Sequence, residues 1–285
     1  MPEWIIGIAL AVIVFLVIVM IVDSNRFVIR EYILESDKVD KEYTFALLAD
    51  LHNKTYGADN SKLLEAVNSV KPDFVLCAGD IMTTKPKYSL KTALFLMKNL
   101  GLKYSVFYGI GNHEYRMKLY REYYQDAFET YTDELKNMGI KVLDNETVQQ
   151  SVFSITGVSI DREYYKRFKK TVMKEGYLTN TIGKSCSDKY QILIAHNPEY
   201  FEEYAKWGAD LVVSGHVHGG IMRLPVFGGV ISPKLVLFPK YDGGLFKKDR
   251  STMILSRGLG MHTLPIRIFN PGELVVIHLL PCKSE

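Results

Sequence analysis

Leu211-Val212-Val213-Ser214-Gly215-His216-Val217-His218-Gly219-Gly220 is the stretch whose reading decides the fold. An apolar run of strand length gives way at once to glycine and then to two histidines one residue apart. If Leu211 to Val213 is a strand, side chains alternate across it, so His216 and His218 leave the sheet edge together. The flanking glycines let the backbone turn sharply there. Two imidazoles aimed at one centre suit a metal ion, but a glycine-rich turn with two surface histidines has the same letters, and this stretch alone does not choose.

The same punctuation recurs outward along the chain. Tyr43 to Ala49 is apolar and stops at Asp50-Leu51-His52-Asn53. Phe74 to Ala78 stops at Gly79-Asp80, Tyr104 to Tyr108 at Gly109-Ile110-Gly111-Asn112-His113-Glu114, and Ile192 to Ala195 at His196-Asn197-Pro198. Helical spacing fills the gaps. Leu63, Leu64, Val67 and Val70 form one stripe, with Asn60 or Ser61 as N-cap. Ser89 caps a second stripe (Leu90, Ala93, Leu94, Met97, Leu100) that Gly101 ends. A long helix is predicted from Lys118 to Met138, stopped by Gly139. Strand–helix alternation of this kind predicts an α/β fold. Beyond Gly139 the reading is of short strands in hairpins (Val142-Leu143, Val152 to Ile155, Gly157 to Ile160), a basic aromatic helix from Arg162 to Lys174, and a polar loop from Gly176 to Lys189. A short helix from Glu199 to Lys206, an irregular Gly/Pro-rich segment from Leu224 to Lys248, and closing strands Met253 to Ser256 and Leu274 to Leu280 complete it.

The 285 residues suffice for one α/β domain with a large core. A net charge of +3 without a Lys/Arg block gives no argument for a nucleic-acid partner. Three scattered cysteines, Cys77, Cys186 and Cys282, make no disulfide framework and lean toward a reducing compartment. Trp4 to Val22 carries no charge and forms a helix of about 28 Å, near bilayer thickness. Its long apolar run and the poor cleavage context at Val22-Asp23-Ser24-Asn25 favour an uncleaved single-pass anchor over a secretory signal. The expected organisation is an anchor over residues 1–25 and one domain over 26–285. Arg26, Arg30, Lys38 and Lys41 follow the span, which places that domain in the cytoplasm.

Of seven histidines, only His262 and His278 lie outside the clusters that follow strands. In open α/β sheets those strand ends are where ligands bind. Asp, His and Asn together make an oxygen–nitrogen donor set without thiolate, suited to Mn²⁺, Zn²⁺, Fe, Co²⁺ or Ni²⁺, and there are donors enough for two ions. A two-cation centre acidifies a shared water and clamps the oxygens of a phosphoryl group.

The sequence resembles the calcineurin-like metallophosphoesterases. The family's motifs Asp-x-His, Gly-Asp, Gly-Asn-His-Asp/Glu, a lone His and Gly-His-x-His match Asp50-Leu51-His52, Gly79-Asp80, Gly111-Asn112-His113-Glu114, His196 and Gly215-His216-Val217-His218 in order. The tail motifs, Gly219-Gly220, Ser256 to Gly260 and Arg267 to Glu273, resemble its membrane-anchored bacterial branch of phosphodiesterases and UDP-2,3-diacylglucosamine pyrophosphohydrolases. There Gly-Gly-Gln often follows the His pair, and here Ile221 replaces the Gln.

The resemblance implies a four-layer αββα sandwich of two mixed β-sheets flanked by helices. It implies two divalent cations, Mn²⁺ foremost. Asp50, His52, Asp80 and His218 would hold one, and Asp80, Asn112, His196 and His216 the other, with Asp80 bridging. Metal-bound hydroxide would attack a phosphodiester or pyrophosphate bond, with His113 protonating the leaving oxygen. Glu114 would orient His113 or be an ordinary surface carboxylate. Arg257 and Arg116 are candidate substrate contacts, and a lipid-linked phosphoester is the expected substrate. Two rival functions are weaker. A Ser/Thr protein phosphatase of the superfamily would carry Asp-Arg-Gly near Asp80, where Ile81-Met82-Thr83-Thr84 stands. A non-catalytic scaffold would have lost some of these donors.

Overall fold

Short runs of Val, Ile, Leu and Phe with polar stops give strands buried on both faces, and such strands need cover on each side. The computed structural model describes residues 2–84, 89–166, 170–224, 228–231, 236–261 and 265–282. The first half runs α1 (Glu3–Asn25), β1 (Phe27–Ser36), β2 (Tyr43–Leu48), α2 (Ser61–Val70), β3 (Phe74–Cys77), α3 (Lys91–Gly101), β4 (Ser105–Gly109), α4 (Asn112–Leu119), α5 (Arg121–Tyr124), α6 (Ala127–Asn137) and β5 (Lys141–Leu143). The second half runs β6 (Glu146–Gln150), β7 (Phe153–Val158), α7 (Tyr177–Ile182), β8 (Tyr190–Ala195), α8 (Phe201–Trp207), β9 (Leu211–Ser214), β10 (Arg223–Leu224), β11 (Gly228–Gly229), β12 (Gly244–Lys248), β13 (Ser251–Leu255) and β14 (Gly272–Pro281).

Two six-stranded mixed sheets result, ordered β1-β14-β2-β3-β4-β5 and β12-β13-β9-β8-β7-β6. Strands β2 to β5 are mutually parallel, as are β7, β8, β9 and β13. Their C-terminal ends therefore collect along one edge of each sheet.

The sheets pack face to face through Phe45, Leu47, Phe107, Phe153, Ile192 and Val213. Phe45 stacks on Phe74 at 4.2 Å between centroids, and Phe153 meets both rings edge-on. Each such buried ring contributes about 1.5–3 kcal/mol. Leu63, Val67, Met97 and Leu135 cover the first sheet's outer face. Leu178, Tyr200, Phe201 and Tyr204 cover the second's. The helix–sheet–sheet–helix order matches the expectation.

Several local expectations are corrected. The helix predicted over Lys118 to Met138 is three pieces: the backbone leaves helical geometry at Tyr120, φ −112° and ψ 60°, between α4 and α5, and at Gln125, φ 50°, between α5 and α6. The helix predicted over Arg162 to Lys174 is a single 3₁₀ turn, Arg162–Tyr165, with residues 167–169 outside the described set. Within the predicted polar loop, α7 is held where the Trp207 indole donates to Gly183 O and the Tyr177 hydroxyl donates to Asp161. The two strands read on either side of Thr156 are one, β7, whose Gly157 runs so close to Leu143 that a side chain would clash. Lys141–Leu143 forms no hairpin. It joins the first sheet beside β4. The segment read as irregular after Leu224 contains β11 and β12. Asn60 stands at the N-cap position of α2 as expected, but its side chain makes no capping bond there and accepts from the Tyr56 amide instead.

Helix α1 is long and apolar enough to cross a bilayer. Most of it is exposed. Leu16, Val19 and Met20 are partly covered, and Asp23 and Ser24 are buried.

Candidate metal centre

Strand direction delivers the donors. Asp50 and His52 follow β2, Asp80 follows β3, Asn112 and His113 follow β4, His196 follows β8, and His216 and His218 follow β9. Every predicted donor cluster thus sits at the C-terminal end of a parallel strand, on the edge where the two sheets meet. The backbone is bent hard there. Asp50, His52, Asp80, His216 and His218 all adopt left-handed conformations, with φ of 51°, 49°, 55°, 75° and 52°. Such a conformation costs a non-glycine residue about 1–3 kcal/mol and persists only where surroundings impose it. The imposing bonds are visible. The Asp50, His52 and Asn53 amides donate to the carbonyls of Gly79, Asp80 and Ile81, and the Gly260 amide donates to Asp50 O at 2.6 Å. The His216 amide donates to both oxygens of the Asp50 carboxylate, tying the second sheet's turn to the first.

The side chains converge. Asp80 Oδ1 accepts from the His113 amide at 2.8 Å. That leaves Oδ2 facing His196 Nε2 at 3.3 Å, His52 Nε2 at 3.8 Å and His113 Nε2 at 4.0 Å. Asp50 Oδ1 lies 3.5 Å from His218 Nε2 and 3.9 Å from both His52 Nε2 and His196 Nε2. His52 Nε2 and His218 Nε2 approach to 3.1 Å with parallel rings. Asn112 Oδ1 lies 3.1 Å from His196 Nε2, and the His216 ring lies edge-on to that of His196 at 5.2 Å. Donors sharing a cation at ~2.1 Å stand from ~3.0 Å apart at right angles to ~4.2 Å apart when opposite, so these separations fit a set built to hold cations. Three overlapping donor groups result: Asp50, His52 and His218; His52, Asp80 and His113; and Asp50, Asp80 and His196.

Electrostatics point the same way. Burial pushes the Asp50 carboxyl up to about 7, and neighbouring Asp80 adds to that. Burial also acts to raise Asp80, but the imidazoles of His196, His113 and His52 outweigh it and hold its carboxyl well below the usual range. Burial disfavours the His196 cation, yet Asp80 and Asp50 prevail and lift it to about 10. Negative charge is concentrated here and balanced by protons on imidazole, the arrangement that cations displace.

His113 is oriented by Thr84, whose amide donates to its Nδ1 at 2.9 Å. The imidazole proton of the neutral ring therefore sits on Nε2, on the Asp80 side. Glu114 does neither of the things expected of it. It is fully buried, and its carboxylate accepts from the Asp80 and Gly111 amides and from the Tyr108 hydroxyl. It fixes the backbone that carries Asp80.

Three supporting residues received no site role from the sequence, although Arg267 and Asn270 lie in the tail motif Arg267 to Glu273. Asn270, fully buried, donates through Nδ2 to the carbonyls of His218 and Gly220, both at 2.8 Å. Arg267, 2% exposed, donates to the carbonyls of Arg257, Gly258, Gly260 and Asn270 and so shapes the loop against Asp50. Tyr165 packs edge-on to His216 at 5.2 Å. The available signal was polar residues stranded in the Arg267 to Asn270 stretch.

Arg257 is mostly buried. Its amide donates to Glu273, and its guanidinium lies 3.6 Å from the same carboxylate, which Arg30 also pairs. Arg116 is exposed on α4 and lies over the Tyr120 ring. His278 sits in β14 between Glu31 and Glu42. His262 falls outside the described residues.

A family model described as calcineurin-like phosphoesterase matches residues 43–220, from the start of β2 to the glycines after His218. The chain belongs to this family. Its clustered Asp and His residues are of the kind that could hold a dinuclear metal site. A metallophosphoesterase of Helicobacter pylori (strain J99) is 29% identical over 257 residues, covering 89% of this chain and 64% of that relative, so the chain spans less than two thirds of its length. The UDP-2,3-diacylglucosamine pyrophosphatase LpxG of Chlamydia muridarum is 26% identical, covering 82% of each. Among solved structures, vacuolar protein sorting 29 from Cryptosporidium parvum aligns over 85% of this chain and 88% of its own, with a TM-score of 0.43 at 13% identity, which carries no further argument.

Proposed function

We propose that the protein is a bilayer-anchored, two-cation hydrolase of a phosphodiester or pyrophosphate bond in a lipid-linked substrate. The observation that carries this reading is the convergence on Asp80 Oδ2 of imidazoles from both sheets, with Asp50 reaching two of them, His52 and His196, and His218 besides. Asp50, His52, Asp80 and His218 would hold one divalent cation. Asp80, Asn112, His196 and His216 would hold the second, and Asp80 would bridge. Mn²⁺ is the foremost candidate, with Zn²⁺, Fe, Co²⁺ and Ni²⁺ also compatible with the donor set. When bound, such cations supply Lewis acidity, acidifying water and neutralising phosphoryl oxygens.

The chain's own residues do the rest. His113, its Nδ1 held against the Thr84 amide and hydroxyl, presents Nε2–H toward the leaving oxygen, and as imidazolium it has the acidity for the task near neutral pH and returns to the neutral ring when the proton is given up. Glu114 holds the Asp80 amide and Asn270 the His218 carbonyl, so the donors keep their geometry between turnovers. Helix α1 as a membrane span and the LpxG relative support a lipidic substrate. The basic residues after α1 support a cytoplasmic domain.

The test uses the full chain in detergent. Bound metal is measured, and turnover is compared on bis(p-nitrophenyl) phosphate, p-nitrophenyl phosphate, a phosphopeptide and UDP-2,3-diacylglucosamine. Two cations per chain with turnover of the diester or the UDP-lipid are expected. Turnover of the phosphopeptide alone would favour the protein-phosphatase reading, and metal without any turnover would favour a scaffold. For topology, Cys186 and Cys282 both lie on the domain as free thiols. In intact cells an impermeant thiol reagent should leave them unlabelled until lysis, and prompt labelling would put the domain outside.

A further inference from the structure

Helix α1 lies on the catalytic domain rather than apart from it. Leu16, Val19, Met20 and Asp23 are covered at the i, i+3, i+4, i+7 spacing of a single helix face. Near the start of that face, the Phe15 ring meets Phe269 of the domain at 6.2 Å. Phe15 precedes Val22, the last residue of the apolar run, by seven positions. At 1.5 Å per residue that is about 10 Å along the helix axis. If α1 spans a bilayer, a ring touching Phe15 lies among acyl chains, below the headgroups.

Phe269 belongs to a lobe whose described residues are apolar where they are exposed. Ile268 bridges Met222, the Ile221 amide donates to Ile231 O, and the Phe238 amide donates to Val230 O. These bonds join 221–224, 228–231, 236–238 and 268–270 into one unit. Leu224, Leu237, Phe238 and Phe269 are 38%, 64%, 59% and 39% exposed on it. Ile221, standing where the family often has Gln, is part of the same unit.

Two short polar links run from the end of α1 to the turns that carry His218 and His52. Asp23 Oδ2 accepts the Asn270 amide at 3.0 Å, and Asn270 in turn holds the His218 carbonyl. Lys54, two residues after His52, donates its ammonium to Asn25 Oδ1 at 3.0 Å. Arg26, half exposed and paired with Asp23, adds a cation at this level, where anionic headgroups attract positive charge.

We infer that this lobe is a second membrane contact, sunk beside α1 into the hydrocarbon of one leaflet, and that the centre opens at headgroup level onto a phosphoester or pyrophosphate whose lipid stays in the bilayer. The inference rests on reading α1 as a membrane span. An apolar surface 5–10 Å below the headgroups is the depth at which interfacial segments bind.

Depth-dependent fluorescence quenching tests it. In the full chain, Trp4 and Trp207 are replaced by Phe. Single tryptophans are then introduced as Phe269→Trp, Leu237→Trp and, in the span itself, Val17→Trp. Native Trp207, retained alone, reports the far side of the domain. Each protein is placed in nanodiscs of phosphatidylcholine with plain or acyl-brominated chains. Bromination is expected to remove emission from Phe269→Trp and Leu237→Trp to an extent comparable with Val17→Trp, and to leave Trp207 unchanged. Phe238→Trp serves as the second reporter should Leu237→Trp fail to fold. Quenching at Val17→Trp with none in the lobe would overturn the inference and leave the anchor standing. No quenching at Val17→Trp would overturn both. The measurement needs no turnover, so loss of the proposed activity and loss of the membrane contact are read separately.

Discussion

The two sheets supply unlike halves of the same centre. The first supplies all of its carboxylate charge, Asp50 and Asp80, with Asn112 beside them, and holds the Asp80 amide with a further buried carboxylate, Glu114. The second supplies only imidazoles, His196, His216 and His218, and holds its turn with a neutral amide, Asn270. A cation bound between them draws its charge compensation from one side and neutral donors from the other. The Asp50 carboxylate, accepting the His216 amide, is where the halves are fastened. Loss on the first-sheet side should therefore hurt more than loss on the second.

Asp80→Asn puts the largest effect on that comparison. It removes the charge that three imidazoles face, so bound metal should fall below two per chain and kcat/KM should drop by about a thousandfold or more. Metal analysis and diester turnover on the same sample check this. Full activity in the variant would show that Asp80 is no bridge.

On the other side, Asn270→Ala deletes the two bonds that hold the His218 turn. Cation affinity should weaken by about 10- to 100-fold, as for other residues that support metal ligands. Titration of stripped protein with Mn²⁺ measures it, with circular dichroism confirming the fold. A loss equal to that of Asp80→Asn would erase the distinction between the sheets.

Glu114→Gln tests the charged support. Burial, helped by Asp80, raises the Glu114 carboxyl from 4.5 to about 7. An acid raised on folding contributes stability that is fully present below pH 4.5 and lost as pH rises to about 7. For this group that loss is on the order of 3 kcal/mol. Asp50 is raised over the same window, so urea unfolding of EDTA-stripped protein on either side of it should show a loss in both chains, smaller in Glu114→Gln than in the parent chain by about that amount. Equal pH dependence in both would mean that the carboxyl titrates normally.

The smallest effect is expected at Arg116. Its guanidinium is exposed and stacked on Tyr120, a contact contributing about 0.5–1 kcal/mol. Arg116→Ala should change KM for bis(p-nitrophenyl) phosphate by no more than about threefold on that scale. A larger rise would make Arg116 a substrate contact.

Much of this was legible in the chain because parallel strands place the residue after each strand on a common edge. Five apolar runs ending in Asp, Asn or His were enough to gather the donors before any coordinate was known. The break at Gln125 was not legible, since a helical stripe continues through it and only packing against the first sheet turns the chain. Glu114 was misread for a related reason. A carboxylate next to a motif histidine looks like its partner, and only the third dimension brings the Asp80 and Gly111 amides within its reach.

The sequence by itself determined the donor types, their order, the α/β class and the apolar N-terminal run, all of which are periodicity and composition. Tertiary structure alone decided that Asp50, His52, Asp80, His216 and His218 are held in left-handed conformations. It also decided that Asn270 braces the His218 turn from 52 residues away, and that α1 rests against Phe269. The physical reason is that these features depend on hydrogen bonds and contacts between segments distant in the chain, which neither periodicity nor local propensity encodes.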